Sequence, residues 1–578
     1  MQPESPKNYR DRKLSLKTPA ERVANMQRVA PATARPWDED LSRATRIPRS
    51  PIRSQETGAT TSPPGRSGKI AVPPDLTPVE DPLTPAMARH LLRRTGFGAR
   101  PEQVEEIVGV PANQAVRDIV RAPHGFAVYR RPVWVNEKPP HAMASDAAWE
   151  AFFELNDAWT AEYLRSLIHE WTTGSLAQRM TLFWHDHFAT SYDKYELASF
   201  AVKHVELLRG NAVGSFRTLV HRMTTDPAML IYLDGALNDR YAPNENYARE
   251  LLELFTMGRE GPDGTPNYNE HDVSELARAM TGFGISYESL TSVFHPSLFD
   301  EDDKTIFGRT NPYNHESAVN LIFLERGDEV AFHIAGKLFR EFVHQEPDHD
   351  TLLALGTEFK NRIYHVGNFL ETLLSSRLFF DSENAVAARI KSPIELLVGQ
   401  VREFGIPATG SLHEAVYWEA ADAGQQILFP PNVAGWSGHI DWLSTSTMPI
   451  RWSTTSWFTY FGGSESDLAL LNWAVNLAPT QDAADVFRLA HAMLEHLMPV
   501  PVEMLSLPRR PTGLGGDLQQ FPIPDTVRNE LPPESIAAAG DLLSGVPWYE
   551  WDVFQPQALG LIRFFASNLF RRPEYQLI

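Results

Sequence analysis

The chain has 578 residues, 43% of them hydrophobic and 22% charged, with 73 acidic against 53 basic side chains and a net charge of −20. That length allows a substantial buried core and more than one packed subregion. The acidic balance disfavours nonspecific binding to nucleic acid or anionic membranes, and no apolar run approaches the roughly 20 residues of a membrane span. With no cysteine, the chain has no disulfide, thiolate metal site or cysteine nucleophile, so any metal must be held by His, Asp or Glu.

The first 80 residues hold 12 of the 44 prolines, including SPPG and VPPD, and show little apolar periodicity. Such a segment cannot offset its ordering entropy, so residues 1 to 80 are expected to form a Pro-rich, mostly disordered extension. No apolar segment follows its first charges, and without the hydrophobic centre of a secretory signal the sequence as written reads as cytoplasmic. The extension carries 14 basic and 9 acidic residues, leaving 39 basic and 64 acidic on the rest. A basic tail on an acidic body can dock back on it, touch an acidic partner, or simply stay solvated, which is the commoner case.

From residue 84 to 578 the pattern predicts one large helical region. Thr84-Pro85, Asp226-Pro227 and Ser392-Pro393 each place a capping side chain before a proline suited to the first helical turn. Ser392 with Glu395 has capping-box spacing, and Asn269 with Asp272 is a weaker version. Amphipathic runs such as PAMARHLLRRTG, SFRTLVHRM, AFHIAGKLFREFVH and IELLVGQVREFG repeat apolar residues three or four apart. Gly96 and Gly258 stand where left-handed caps would close two helices. Period-two alternation is rare, so any sheet should be a small hairpin around residues 284 to 308. The fold class is therefore mainly α, a large multi-helix globular body with little β structure.

Two segments concentrate groups able to do chemistry. SLAQRMTLFWHDHF places His185, Asp186 and His187 at the end of a helix, where residues two apart diverge by about 200 degrees. His185 and His187 can therefore share a divalent transition metal only if the backbone bends there, and hydrogen-bonded structural histidines are the simpler reading. PNENYARELLEL offers Glu245, Glu250 and Glu253 beside Arg249, whose spacing also suits plain ion pairs. A shared site would make His185 and His187 metal ligands or proton relays, with Glu245 or Glu250 as the catalytic carboxylate. FDEDDKTIFG reads as an acidic turn rather than a calcium loop, since the 12-residue ligand pattern is missing. LFPPNVAGWSGHIDWL joins a rigid Pro-Pro step to Trp436, His439 and Trp442, a loop able to cover a pocket or stack on a sugar, with plain aromatic packing the slightly favoured reading. No phosphate loop, dinucleotide fingerprint or nucleophile elbow occurs in context.

The ordered set ARHLLRRTGFG, MTLFWHDHF, DPAMLIYLD, PNENYARELLELFTMG, YNEHDVSELARAMTG, IKSPIELLVG, PPNVAGW and RRPEYQ resembles the bacterial domain of unknown function 1800 family. The resemblance runs from about residue 84 to the end and implies a mainly helical fold with no established general reaction. It also implies export and a sulfatase-like companion protein as partner. Phe299-Asp300 stands where that family commonly shows His-Asp before a Lys-containing turn, so a role for that histidine does not transfer. Three readings follow: a metal-dependent or acid-base enzyme with a His/Glu site, a noncatalytic scaffold for a companion protein, and carbohydrate binding or processing.

Overall fold

A computed structural model of the protein describes residues 17–29, 75–122, 129–344, 346–407, 409–457, 463–478, 481–507 and 513–578. Helices dominate, and the strands form two separate antiparallel pairs, β1 (Phe283–Ser286) with β2 (Thr291–Phe294) and β3 (Lys304–Ile306) with β4 (Arg309–Asn311). Where one hairpin was expected around residues 284 to 308, two short ones follow each other, the second ending at Asn311. Thr84, Asp226 and Ser392 each accept the backbone N–H three residues on, and Ser392–Glu395 and Asn269–Asp272 close full capping boxes. These caps satisfy donors that a helix start leaves without partners. Gly258 is left-handed with φ +76°, as expected, whereas Gly96 is not. Gly96 closes its helix in an extended conformation, its N–H reaching Leu92 O, so there the turn is made without a positive φ.

The buried apolar side chains divide into two clusters. One gathers the long helix Asp146–Thr173 with Pro393–Glu403 and the helices toward the C-terminus; the other gathers Pro85–Thr95, the helices around Phe216 and Phe255, and Gly327–Phe342. The helix Leu176–His187 lies between them, giving Leu182 to the first and Met180 and Trp184 to the second. A helix packed on both sides points alternate polar residues into different surroundings, and that decides the fates of its two histidines.

Within residues 1 to 80, the segment Pro19–Val29 is a helix docked on the body rather than a solvated tail. Buried Arg22 makes a bidentate pair with Asp157, at 3.1 and 2.9 Å, and stands 4.0 Å from the Phe153 ring centroid. It also pairs at 3.6 Å with Glu196, a buried carboxylate, while Met26 enters the first cluster. SPPG and most of the remaining extension lie outside the described residues. At the other end, Ile578 N–H donates to Arg389 O at 2.8 Å and Lys391 N–H to Gln576 O at 2.8 Å. Tyr575, fully buried, donates to Glu403 at 3.1 Å and carries Lys391 Nζ 3.7 Å over its ring. The RRPEYQ motif thus fixes the segment that holds Arg389.

Candidate active site

A pocket of about 390 Å³ opens where the two clusters meet, lined by Phe183, Asp186, His187, Lys337, Arg340, Glu341, Glu346, Arg389 and the 434–439 loop. Four parts of the chain build it: the end of the FWHDHF helix, the helix Gly327–Phe342, the strip held by the C-terminus, and the Pro-Pro loop. The Pro-Pro loop lines this pocket with Trp436 and His439, whereas Trp442 packs into the first cluster and is absent from the lining, so the loop shows both the covering and the aromatic packing its sequence allowed.

Asp186 and Lys337 stand at the centre of its chemistry. Asp186 Oδ1 accepts the Trp436 N–H at 2.7 Å. Burial raises its carboxyl, against the lowering effects of that N–H and of Lys337. Burial lowers the Lys337 amine, against the raising effect of Asp186. Each charge partly stabilises the other, and desolvation pushes their proton affinities toward one another.

His187 fixes the other side of Lys337. The residues Leu251–Thr256, which begin within PNENYARELLEL and run two residues past it, form a π-helical turn, an irregularity frequent at functional sites. Its last carbonyls lack partners within the helix and are taken by side chains from elsewhere. His187 Nε2–H donates to Phe255 O at 3.1 Å and His333 Nε2–H to Leu254 O at 3.1 Å. Lys337 Nζ donates to His187 Nδ1 at 3.0 Å and, more loosely, to Leu254 O at 3.4 Å. Burial and the Lys337 charge push His187 well below the usual histidine range, so the ring is neutral and accepts from the ammonium. The negative end of the turn also favours a cation at Lys337.

An ionic frame stiffens the wall. Glu341 receives Arg179 at 2.7 Å and Arg389 at 3.2 Å, and Arg389 also reaches Glu395 at 3.3 Å. Glu395 pairs with Arg179 as well and accepts the Ser392 N–H at 2.7 Å. Burial alone would raise the Glu395 carboxyl, but Arg179 and Arg389 hold it far below the usual range. One residue thus serves both as helix cap and as counter-ion.

The two motif segments do meet, through a backbone carbonyl rather than through their carboxylates. His187 lines the pocket; His185 lies on another face, where its Nε2 accepts the Leu428 N–H at 3.1 Å. Glu245, half-exposed, pairs with Arg249 at 3.0 Å. Glu250 is half-buried and raised by burial and by Glu253, while Glu253 accepts the Tyr268 hydroxyl at 2.6 Å. None of these glutamates lines the pocket. The donor set does not fit the divalent metal envisaged for His185 and His187: both His187 nitrogens are engaged, and among the described residues no three His, Asp or Glu are arranged to hold an ion. The acidic turn is likewise accounted for without calcium, because Asp300 is held by Arg278 at 2.8 and 3.2 Å. Phe299 sits 4.7 Å under Lys304 Nζ as an aromatic partner for the cation.

Lys337 and Arg389 were not foreseen as site residues. Arg389 gives no sequence signal, since its position depends on pairing with the distant C-terminus. Lys337 does give one: Val330, Ile334 and Leu338 mark the buried stripe of its helix, and Lys337 and Glu341 lie four apart beside it.

No described helix is long and apolar enough to cross a membrane. No curated protein and no solved structure matches the chain. A family model described as "Protein of unknown function (DUF1800)" matches residues 90–512, a span that contains Asp186, His187, Lys337, Arg389 and the Pro-Pro loop. The chain belongs to this family of proteins of unknown function.

Proposed function

We propose that the pocket is an acid-base site, with Asp186 exchanging a proton with a polar substrate and Lys337 as the charge partner that sets its affinity. The observation that carries this reading is that Asp186 and Lys337 line one accessible cavity, where burial raises the carboxyl and lowers the amine. A carboxyl raised and an amine lowered toward neutrality are suited to giving and taking protons there. His187 holds Lys337 in place, and Arg340, Arg389 and His439 supply donors for the substrate's polar groups. This reading draws no step through a metal.

Competitive acetylation of the amines with trace anhydride, followed over pH by peptide mass spectrometry, tests it. Lys337 is expected to gain reactivity at a pH well below the ordinary lysine value of about 10.4. In Asp186→Asn its midpoint should fall further, because the opposing charge is gone. A Lys337 that titrates with the surface lysines in both proteins would sink the proposal.

A second reading, a scaffold for a sulfatase-like companion protein, draws support from the docked helix Pro19–Val29. Body carboxylates that already receive one basic segment are suited to receive another. Recovery of such a companion by the full chain and by a chain beginning at residue 75 separates a role of the extension from a role of the body.

A further inference from the structure

On the face of the FWHDHF helix away from the pocket, His185 sits among polar groups that no neighbour satisfies. Its Nε2 accepts the Leu428 N–H, and burial holds its affinity down at about 3, so the ring is neutral with its proton on Nδ1. That buried Nδ1–H has no partner. His204 lies beside it, with ring centroids 6.4 Å apart and planes at 69°. The Nδ1 of His204 is tied to Asp226 Oδ2 at 2.9 Å, and its Nε2 is buried and without a partner too. The buried hydroxyls of Thr190 and Tyr195 face one another, with Tyr195 in the field of the same Asp226. Native interiors seldom leave buried groups unmet, and two such ring nitrogens side by side point to something held between them.

We propose that this chamber is a built site for ordered internal water, with one water bridging His185 Nδ1 and His204 Nε2. A ring nitrogen lies about 1.2 Å from its centroid, so the two nitrogens stand between about 4 and 9 Å apart, beyond a direct hydrogen bond, and the short part of that range is the span of one water. Water fits, accepting from His185 Nδ1–H and able to pair with His204 Nε2 as donor or acceptor. A metal ion fits poorly, because it needs a lone pair on His185 Nδ1, and the Leu428 N–H already occupies the only lone pair of that neutral ring. The bridge joins the loop carrying Leu428 to Asp226, the N-cap of Pro227–Tyr232. In this role the first histidine of FWHDHF is a brace working through water.

A crystal structure of the full chain at a resolution that places waters, with anomalous data and elemental analysis of the same preparation, tests the site. One water within hydrogen-bonding distance of both nitrogens is expected, with transition metal only at background. A dry chamber, rings turned into direct contact, or a stoichiometric metal at that position each overturns it. Nitrogen-15 spectra of histidine-labelled wild-type protein give an independent check that needs no variant. His185 should carry its proton on Nδ1, and the opposite tautomer would remove the donor on which the bridge depends.

Discussion

At Gly435 the backbone has φ +82°, and a methyl group there would fall 2.2 Å from Asp186 Oδ1 and 2.5 Å from its carbonyl oxygen. Only glycine lets the loop come close enough for the Trp436 N–H to reach the carboxylate. Gly435→Ala should therefore destabilise the protein by roughly 3 kcal/mol or more, since positive φ and close approach both oppose a side chain. Urea unfolding measures the loss, and a change under 1 kcal/mol would mean that the loop is not pressed on Asp186. The sequence made this loop legible as a pocket cover through its Pro-Pro step and tryptophans. It also showed that His185 and His187 must diverge, because helix geometry is local. It did not show that Asp186, between them, is the residue that meets the loop. That contact spans 250 residues and follows from packing alone.

At the scale of elements, caps and periodicity were readable because each is settled within a few residues. The Ser392 and Asn269 boxes and the small hairpins needed nothing beyond local chemistry. Docking of Pro19–Val29 was not readable, since its anchor, Arg22, is defined by Asp157 and Glu196 far along the chain. Arg22→Ala should release this helix, because it removes the buried cation that faces both Asp157 and Glu196. Removing one partner of a buried pair costs on the order of 3 kcal/mol, whereas an exposed pair costs under about 1. Hydrogen exchange of residues 17–29 should rise by two orders of magnitude or more in the variant while that of Leu176–His187 stays protected. Unchanged exchange would show that Met26 and the apolar face suffice to hold the helix.

For the whole molecule, the buried histidines set the response to acid. His90, His185 and His333 are each held at about 3 by burial, and His187 and His496 well below the usual value. In the unfolded chain each takes a proton near pH 6.5, so the unfolded state binds more protons below that pH, and stability falls as pH drops toward 3. By linkage each costs roughly 2 kcal/mol at pH 5. Carboxyls raised by burial act the other way. Glu170, raised by burial to about 7, and Asp186, raised by burial, gain protons first in the folded state and so stabilise it as pH falls through that region. The five histidines outweigh Glu170 and Asp186, which are of similar individual size, together with the smaller gains of the part-buried Asp193, Glu250 and Asp541, and below the ordinary carboxylate range the ionised Glu395 adds to the loss. Stability should therefore fall by several kcal/mol between pH 7 and pH 5, read as a lower urea midpoint. His90 donates from Nε2 to Phe379 O at 3.0 Å, a bond that a glutamine amide can supply without titrating. His90→Gln should lose about 2 kcal/mol less than the parent over the same interval. A midpoint that stays flat or rises on acidification would mean that the carboxyls dominate and that the histidines are not held neutral by the fold.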